Sequence, residues 1–250
     1  MPPSQIRIFL VRHGESVANL DKALNASQPD HSIPLSDGGI RQARTAGVFL
    51  ADALAAHRPE RGVRILCSPY ARTRQTSAGI EAELSSRNIA FDRREAIELR
   101  ELEFGLFDGV PDEQLPMLFP REYEHYEKNR RFEGEFFAPM PMGESRCRVA
   151  DRVKGVFGTI LRDSSTSRGR PVTDFVVVSH GVTIRCFRMQ WMHYPWEWFG
   201  EQPNPQNCSV RLIEGFASSG YTDTEVFAGF PSARRSLQTR REEGIVGPPV

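Results

Sequence analysis

The stretch Ile6-Arg7-Ile8-Phe9-Leu10-Val11-Arg12-His13-Gly14-Glu15-Ser16 runs a largely apolar segment straight into an Arg-His-Gly triplet. Ile6–Val11 reads as a buried strand, and the triplet falls where that strand would end. The carboxyl ends of strands in α/β sheets are where ligands bind. Glycine lets the backbone turn sharply there and approach a ligand closely. An imidazole is a nucleophile near neutral pH, and arginine grips anions with a planar fork of donors. The stretch therefore points to chemistry on a phosphate.

Working outward, strand and helix patterns alternate. Val63–Cys67 and Phe175–Val178 read as further buried strands. Ser36 reads as the N-cap of a long helix with Ile40, Ala43, Gly47, Leu50 and Leu54 on one face. Tyr70–Ser85, Ser145–Arg162 and Val182–Met192 read as helices, Ile97–Leu99 as a short extended segment, and Val210–Glu214 and Thr224–Ala228 as late strands. The pattern predicts an α/β fold: a three-layer α/β/α sandwich with a mostly parallel central sheet. Residues 107–143, rich in proline and aromatics, read as a cap or insertion with little regular structure beyond a helix near Gln114–Asn129. Residues 1–230 read as a single domain and 231–250 as a flexible tail.

Two strands end in His-Gly, at His13-Gly14 and His180-Gly181. If these strands are parallel neighbours, the two imidazoles face one another across a crevice.

Composition bounds the function. The chain has 250 residues, with 32 basic and 32 acidic side chains. That balance argues against coating nucleic acid or a membrane surface. Hydrophobic residues, at 39%, suffice for a sizeable core at this length. The four cysteines, Cys67, Cys147, Cys186 and Cys208, are far apart and read as free buried thiols of a reducing compartment. No basic leader followed by an apolar run begins the sequence, and no run of about 18 apolar residues occurs. A cytoplasmic location is expected.

Further pieces accompany the opening stretch. Ser68–Thr76 puts Arg72 in the first turn of a helix, where amide donors and the helix dipole favour an anion. Leu99–Gly105 supplies Glu101 and Glu103, and Gly143-Glu144-Ser145 opens a helix. With Leu35–Ala43 and Ser179-His180-Gly181, this set over residues 6–214 resembles the histidine phosphatase superfamily, of phosphoglycerate mutase-like fold. The resemblance implies that His13 attacks phosphorus and carries a phosphohistidine. It implies that Arg12, Arg72 and His180 hold the phosphoryl oxygens, with Asn19 as an additional hydrogen-bonding group, and that Glu101 protonates the leaving group. No cofactor or metal is implied, because the arginines supply the positive charge.

Alternatives remain beside this reading. His13, His180 and Glu101 could instead hold zinc, although no HExxH or Cys/His cluster supports that. Glu103 competes with Glu101 as the acid. Arg130 and Arg131 are candidates for reading a second anionic group of the substrate, or form a solvated pair. Trp191, Trp196, Trp198 and Phe199 read as local packing in preference to an interface, and a homodimer stays open.

The resemblance favours phosphatases over mutases. Val182 stands where mutases commonly carry Asn, the Asn25–His31 loop lacks their Thr-Gly, and Asn207-Cys208-Ser209-Val210 is similar to a late phosphatase segment. The expected partner is a phosphorylated small molecule; a non-catalytic scaffold on the same fold is the rival of another class.

Overall fold

The computed structural model describes residues 5–56, apart from 22, 23, 25 and 26, together with 62–165 and 171–231. Most of the expected tail lies outside the described residues. Strand β1 (Ile6–Arg12) is followed by a short helix α1 (Val17–Leu20), helix α2 (Asp37–Ala55), strand β2 (Gly62–Cys67), helix α3 (Ala71–Ser86) and strand β3 (Phe91–Glu95). The cap contributes helices α4 (Leu115–Leu118) and α5 (Pro120–Glu133). Helix α6 (Arg146–Asp163), strand β4 (Val172–Ser179), helix α7 (Gly181–Trp191), the short helix α8 (Trp198–Glu201) and a hairpin of β5 (Val210–Phe216) and β6 (Gly220–Phe227) complete the order.

The six strands form one sheet in the order β3-β2-β4-β1-β5-β6. The first four are parallel, and β5 and β6 run antiparallel to them as an added hairpin. Alternate residues of each central strand feed opposite faces, as the strand period of two requires. Phe9, Val11, Ile65, Cys67, Val176 and Val178 pack with Leu50, Leu54, Ile80 and Leu84 of α2 and α3. Ile8, Leu10, Leu66, Phe175 and Val177 pack with Val149, Val153, Val156 and Ile160 of α6, and with Ile184 and Phe187 of α7. The expected three-layer sandwich is thus the observed one. Ile40, expected on the buried face of α2, is exposed.

Some expectations are corrected. Ile97–Leu99 is a 3-10 turn, not an extended segment. The strand lies just before it, at Phe91–Glu95, where its last four residues are exposed. That polar sequence, Asp92-Arg93-Arg94-Glu95, suits an edge strand and carries no apolar pattern to announce itself. The cap is more regular than expected: α5 runs to Glu133, where Gly134 ends it with φ 87. Phe107, Leu115, Tyr126 and Phe136 of the cap join the same core as α6 and α7. The four cysteines are free, and Cys147 is only half-buried.

Candidate active site

The pairing of β1 with β4 sets the site. Arg12 lies opposite Ser179 in parallel register, and His13 N–H donates to Ser179 O (3.0 Å). His13 and His180 therefore leave the sheet side by side, their ring centroids 5.2 Å apart at 63°. His13 is buried, and its Nδ1 lies 2.7 Å from Gly14 O. A carbonyl only accepts, so Nδ1 carries the proton and Nε2 keeps its lone pair. The turn at Gly14 packs directly on α2. A Cβ on Gly14 would meet Gly39 O at 2.6 Å, and one on Gly39 would meet Glu15 O at 2.0 Å. Ser36 reinforces this seam, its Oγ accepting from Gly39 N–H and donating to Glu15 Oε1.

His180 is fully buried and caps the start of α7. Its Nε2 lies 2.9 Å from Ser68 Oγ, while its buried Nδ1 has no partner among the described residues. Arg12 is similar: its Nη1 donates to Pro205 O, and its buried Nε has no partner among the described residues. Arg72, in the first turn of α3, has its guanidinium 5.0 Å from the Tyr70 ring centroid. The same ring lies 5.0 Å from that of His180. Burial, then the Arg72 and Arg12 charges, hold His13 well below the usual histidine range, against the pull of Gly14 O. Burial and Arg72 do the same to His180. Two imidazoles held toward their neutral form, near the Arg12 and Arg72 charges, form a cationic pocket.

Glu101 stands at the same end of the sheet. Its Oε1 accepts from Leu102 N–H (2.9 Å). Burial lifts its carboxyl above the usual range, and Asp30 adds to the rise, against Leu102 N–H and the Arg72 charge. Glu103 is half-exposed and paired with Arg100 (3.0 Å), so Glu101 is the carboxyl suited to hold a proton. The Glu101 loop is fixed through its carbonyls. Ser179 Oγ donates to Leu99 O (2.8 Å), and Thr183 Oγ1 to Arg100 O (2.7 Å). Arg152 of α6 donates to Glu98 O, Arg100 O and Glu101 O, and its Nε–Nη2 edge holds both carboxylate oxygens of the buried Glu144.

Other expected residues fall differently. Asn19 closes a capping box, its Oδ1 accepting from Ser16 N–H (2.9 Å). Arg130 and Arg131 pair with Glu127 along α5. Arg130 lines a cavity of about 360 Å³ beneath the cap, with Phe107, Tyr126 and Arg146. Among the described residues, neither arginine makes a hydrogen bond or ion pair with the two-histidine crevice. Sequence reasoning missed Asp30, which forks onto Arg72, as well as Ser68, Thr183 and Arg152. Ser68 lies in the Ser68–Thr76 run and Asp30 in the Asn25–His31 loop, but neither position carries a signal of its role, and nothing in the spacing marks Arg152.

Fold and crevice together define an α/β protein with a two-histidine, two-arginine anion pocket at the carboxyl edge of a mainly parallel sheet. The chain belongs to the histidine phosphatase superfamily, whose branch 1 model matches residues 8–222. Its relatives include the phosphoglycerate mutase-like protein AT74 of Arabidopsis thaliana, 38% identical over 83% of this chain and 64% of that protein. The chain thus spans less than two thirds of that relative. The broad-range acid phosphatase DET1 of Saccharomyces cerevisiae is 26% identical over 83% of this chain and 84% of its own. A mycobacterial glucosyl-3-phosphoglycerate phosphatase, solved in complex with VO3, has the same fold. It matches with a TM-score of 0.64 at 20% identity, covering 91% of this chain and 100% of that one. Among the described residues, no helix is long and apolar enough to cross a membrane.

Proposed function

We propose that the protein is a phosphomonoesterase that hydrolyses a phosphorylated small molecule through a phosphohistidine on His13, with Glu101 as proton donor. The observation that carries this reading is the pair of buried imidazoles 5.2 Å apart, flanked by arginines and presenting unpartnered nitrogens on His180 and Arg12. His13 Nε2 attacks phosphorus in line with the leaving oxygen. As the P–O bond breaks, that oxygen takes the proton of Glu101. Arg12, Arg72 and His180 hold the remaining phosphoryl oxygens, and this charge stabilisation supplies most of what phosphoryl transfer requires. Water then gives a proton to the Glu101 carboxylate and attacks the phosphohistidine, releasing phosphate and restoring the Nε2 lone pair. The arginines supply the positive charge, so no metal is required.

Two features favour hydrolysis over mutase chemistry: the phosphatase-like Asn207–Val210 segment and the acid phosphatase among the relatives. Hydrolysis of p-nitrophenyl phosphate in excess chelator is the test. Turnover by the wild-type protein and its abolition in His13→Ala are expected. An unchanged His13→Ala rate would point to another nucleophile. No hydrolysis of any ester in a metabolite panel would favour the scaffold reading. Exchange between phosphoglycerates that depends on added bisphosphoglycerate would favour a mutase.

A further inference from the structure

Arg72 is already engaged. Its Nη1 donates to Asp30 Oδ1 (2.8 Å) and to Asp30 O (2.6 Å), and its Nη2 donates to Asp30 Oδ2 (3.0 Å). The carboxylate thus presents to the guanidinium the two-oxygen edge that a phosphoryl group would present. The Arg72 side chain is 6% exposed and that of Asp30 23%, which puts the carboxylate at the mouth of the crevice. Asp30 sits on a tight 3-10 turn, closed by Ser32 N–H and Ser32 Oγ both donating to Pro29 O (2.8 Å each). On the phosphomonoesterase reading, a phosphoryl dianion that reaches Arg72 has to displace this carboxylate, with Arg12 and the two imidazoles adding to its hold. The short turn nevertheless keeps the displaced Asp30 nearby.

Most of the cations around the crevice are already paired, and the charge nearest Arg72 is negative. Asp108, half-buried after the Glu101 loop, has its carboxyl raised by burial and then by Asp30. Arg100 and Arg152 are bound to Glu144, and Arg146 to Glu135. Arg185 lies 4.2 Å over the Phe199 ring and donates to Gln202 O, but its buried Nε has no partner among the described residues, so it is the competing cation that the test must separate from Asp30.

We propose that Asp30 is a specificity-determining residue: it makes the crevice select phosphomonoesters with an uncharged or cationic leaving group and reject those with a second anionic group. The inference rests on the phosphomonoesterase reading. A second anion on the leaving group meets the Asp30 carboxylate at close range in a partly desolvated mouth, where one unit charge shifts selectivity by about tenfold.

The experiment compares kcat/KM for phosphocholine, p-nitrophenyl phosphate and 3-phosphoglycerate in wild type, Asp30→Asn and Asp30→Glu. Wild type should prefer the first two over the third. Asp30→Asn should shrink that preference about tenfold, and Asp30→Glu should retain it. Freeing Arg72 should also tighten inorganic phosphate binding in Asp30→Asn. A selectivity ratio unchanged in Asp30→Asn overturns the proposal. A wild-type preference for 3-phosphoglycerate also overturns it, and would put the second anion on Arg185. Calorimetric binding of the phosphocholine and 3-phosphoglycerate pair to Glu101→Gln protein, with and without Asp30→Asn, reads the same ratio without turnover. Absence of all hydrolysis would therefore sink the enzymatic reading while this ratio still decides the role of Asp30.

Discussion

Arg152→Met should lower stability and, through the Glu101 loop, damage catalysis without removing a side chain of the two-histidine crevice. The Arg152 guanidinium makes five hydrogen bonds: Nε to Glu144 Oε1 (3.0 Å), Nη1 to Glu98 O (2.5 Å) and Arg100 O (2.9 Å), and Nη2 to Glu101 O (2.9 Å) and Glu144 Oε2 (2.9 Å). Arg152 and Glu144 are 12% and 9% exposed, so the pair is largely desolvated. Methionine fills similar volume but, among the described residues, leaves Glu144 with Arg100 and the Glu103 N–H, and three carbonyls lose a donor. Removing one partner of a buried pair costs about 3–5 kcal/mol. In a chain of this size, that lowers Tm by about 10 °C. Glu101 loses its backbone anchor at the same time. A misplaced acid forfeits part of the roughly 100-fold or greater advantage of general acid catalysis. The loss should fall on alkyl phosphates, whose leaving oxygen needs the proton, and spare p-nitrophenyl phosphate. Urea unfolding gives the stability change, and the alkyl to p-nitrophenyl kcat ratio gives the positioning effect. Arg152→Lys keeps the charge but not the fork and should recover only part of both. A loss below about 1 kcal/mol with an unchanged ratio would refute the reasoning.

Further outcomes follow from the same structure. Glu101 is raised and His13 depressed, so kcat/KM for an alkyl phosphate should stay high to a pH above the ordinary carboxylate range. It should fall as pH rises through the Glu101 pKa, and fall again only well below the ordinary histidine range; a pH profile flat into alkali would contradict this. Because folding favours neutral Glu101, its ionisation costs stability, and that cost grows as pH rises from the ordinary value of 4.5 to the raised one and is constant above it. Glu101→Gln should therefore raise Tm at pH 8 and lose that gain at pH 4; equal Tm shifts at both values would count against burial as the cause. Gly39→Ala drives a Cβ against the Glu15 backbone and should destabilise by about 2 kcal/mol or more, measured by thermal unfolding.

The parts legible in the sequence are those written in contiguous residues. Ile6–Val11 running into Arg12-His13-Gly14, and Phe175–Val178 running into His180-Gly181, gave both strand and ligand end, and their parallel pairing brought the imidazoles together as expected. The apolar face of α6 was equally plain, because Val149, Val153, Val156 and Ile160 keep helical spacing. Edge strand β3 was hidden because solvent, not core, covers its side chains. Cap helix α5 buries only Tyr126, so its periodicity is weak and its end was missed. Asp30 and Arg152 were illegible for another reason. Each acts through a partner 40 or more residues away, or on backbone carbonyls that have no residue identity, so no local pattern records it.

The most direct measurement is acid and alkali quench of the enzyme during turnover of a 32P-labelled ester, followed by peptide mapping. The account predicts an acid-labile, alkali-stable label on His13, absent from His13→Ala and longer-lived in Glu101→Gln, where water lacks its base. A label on any other residue, or full turnover in His13→Ala, would contradict it.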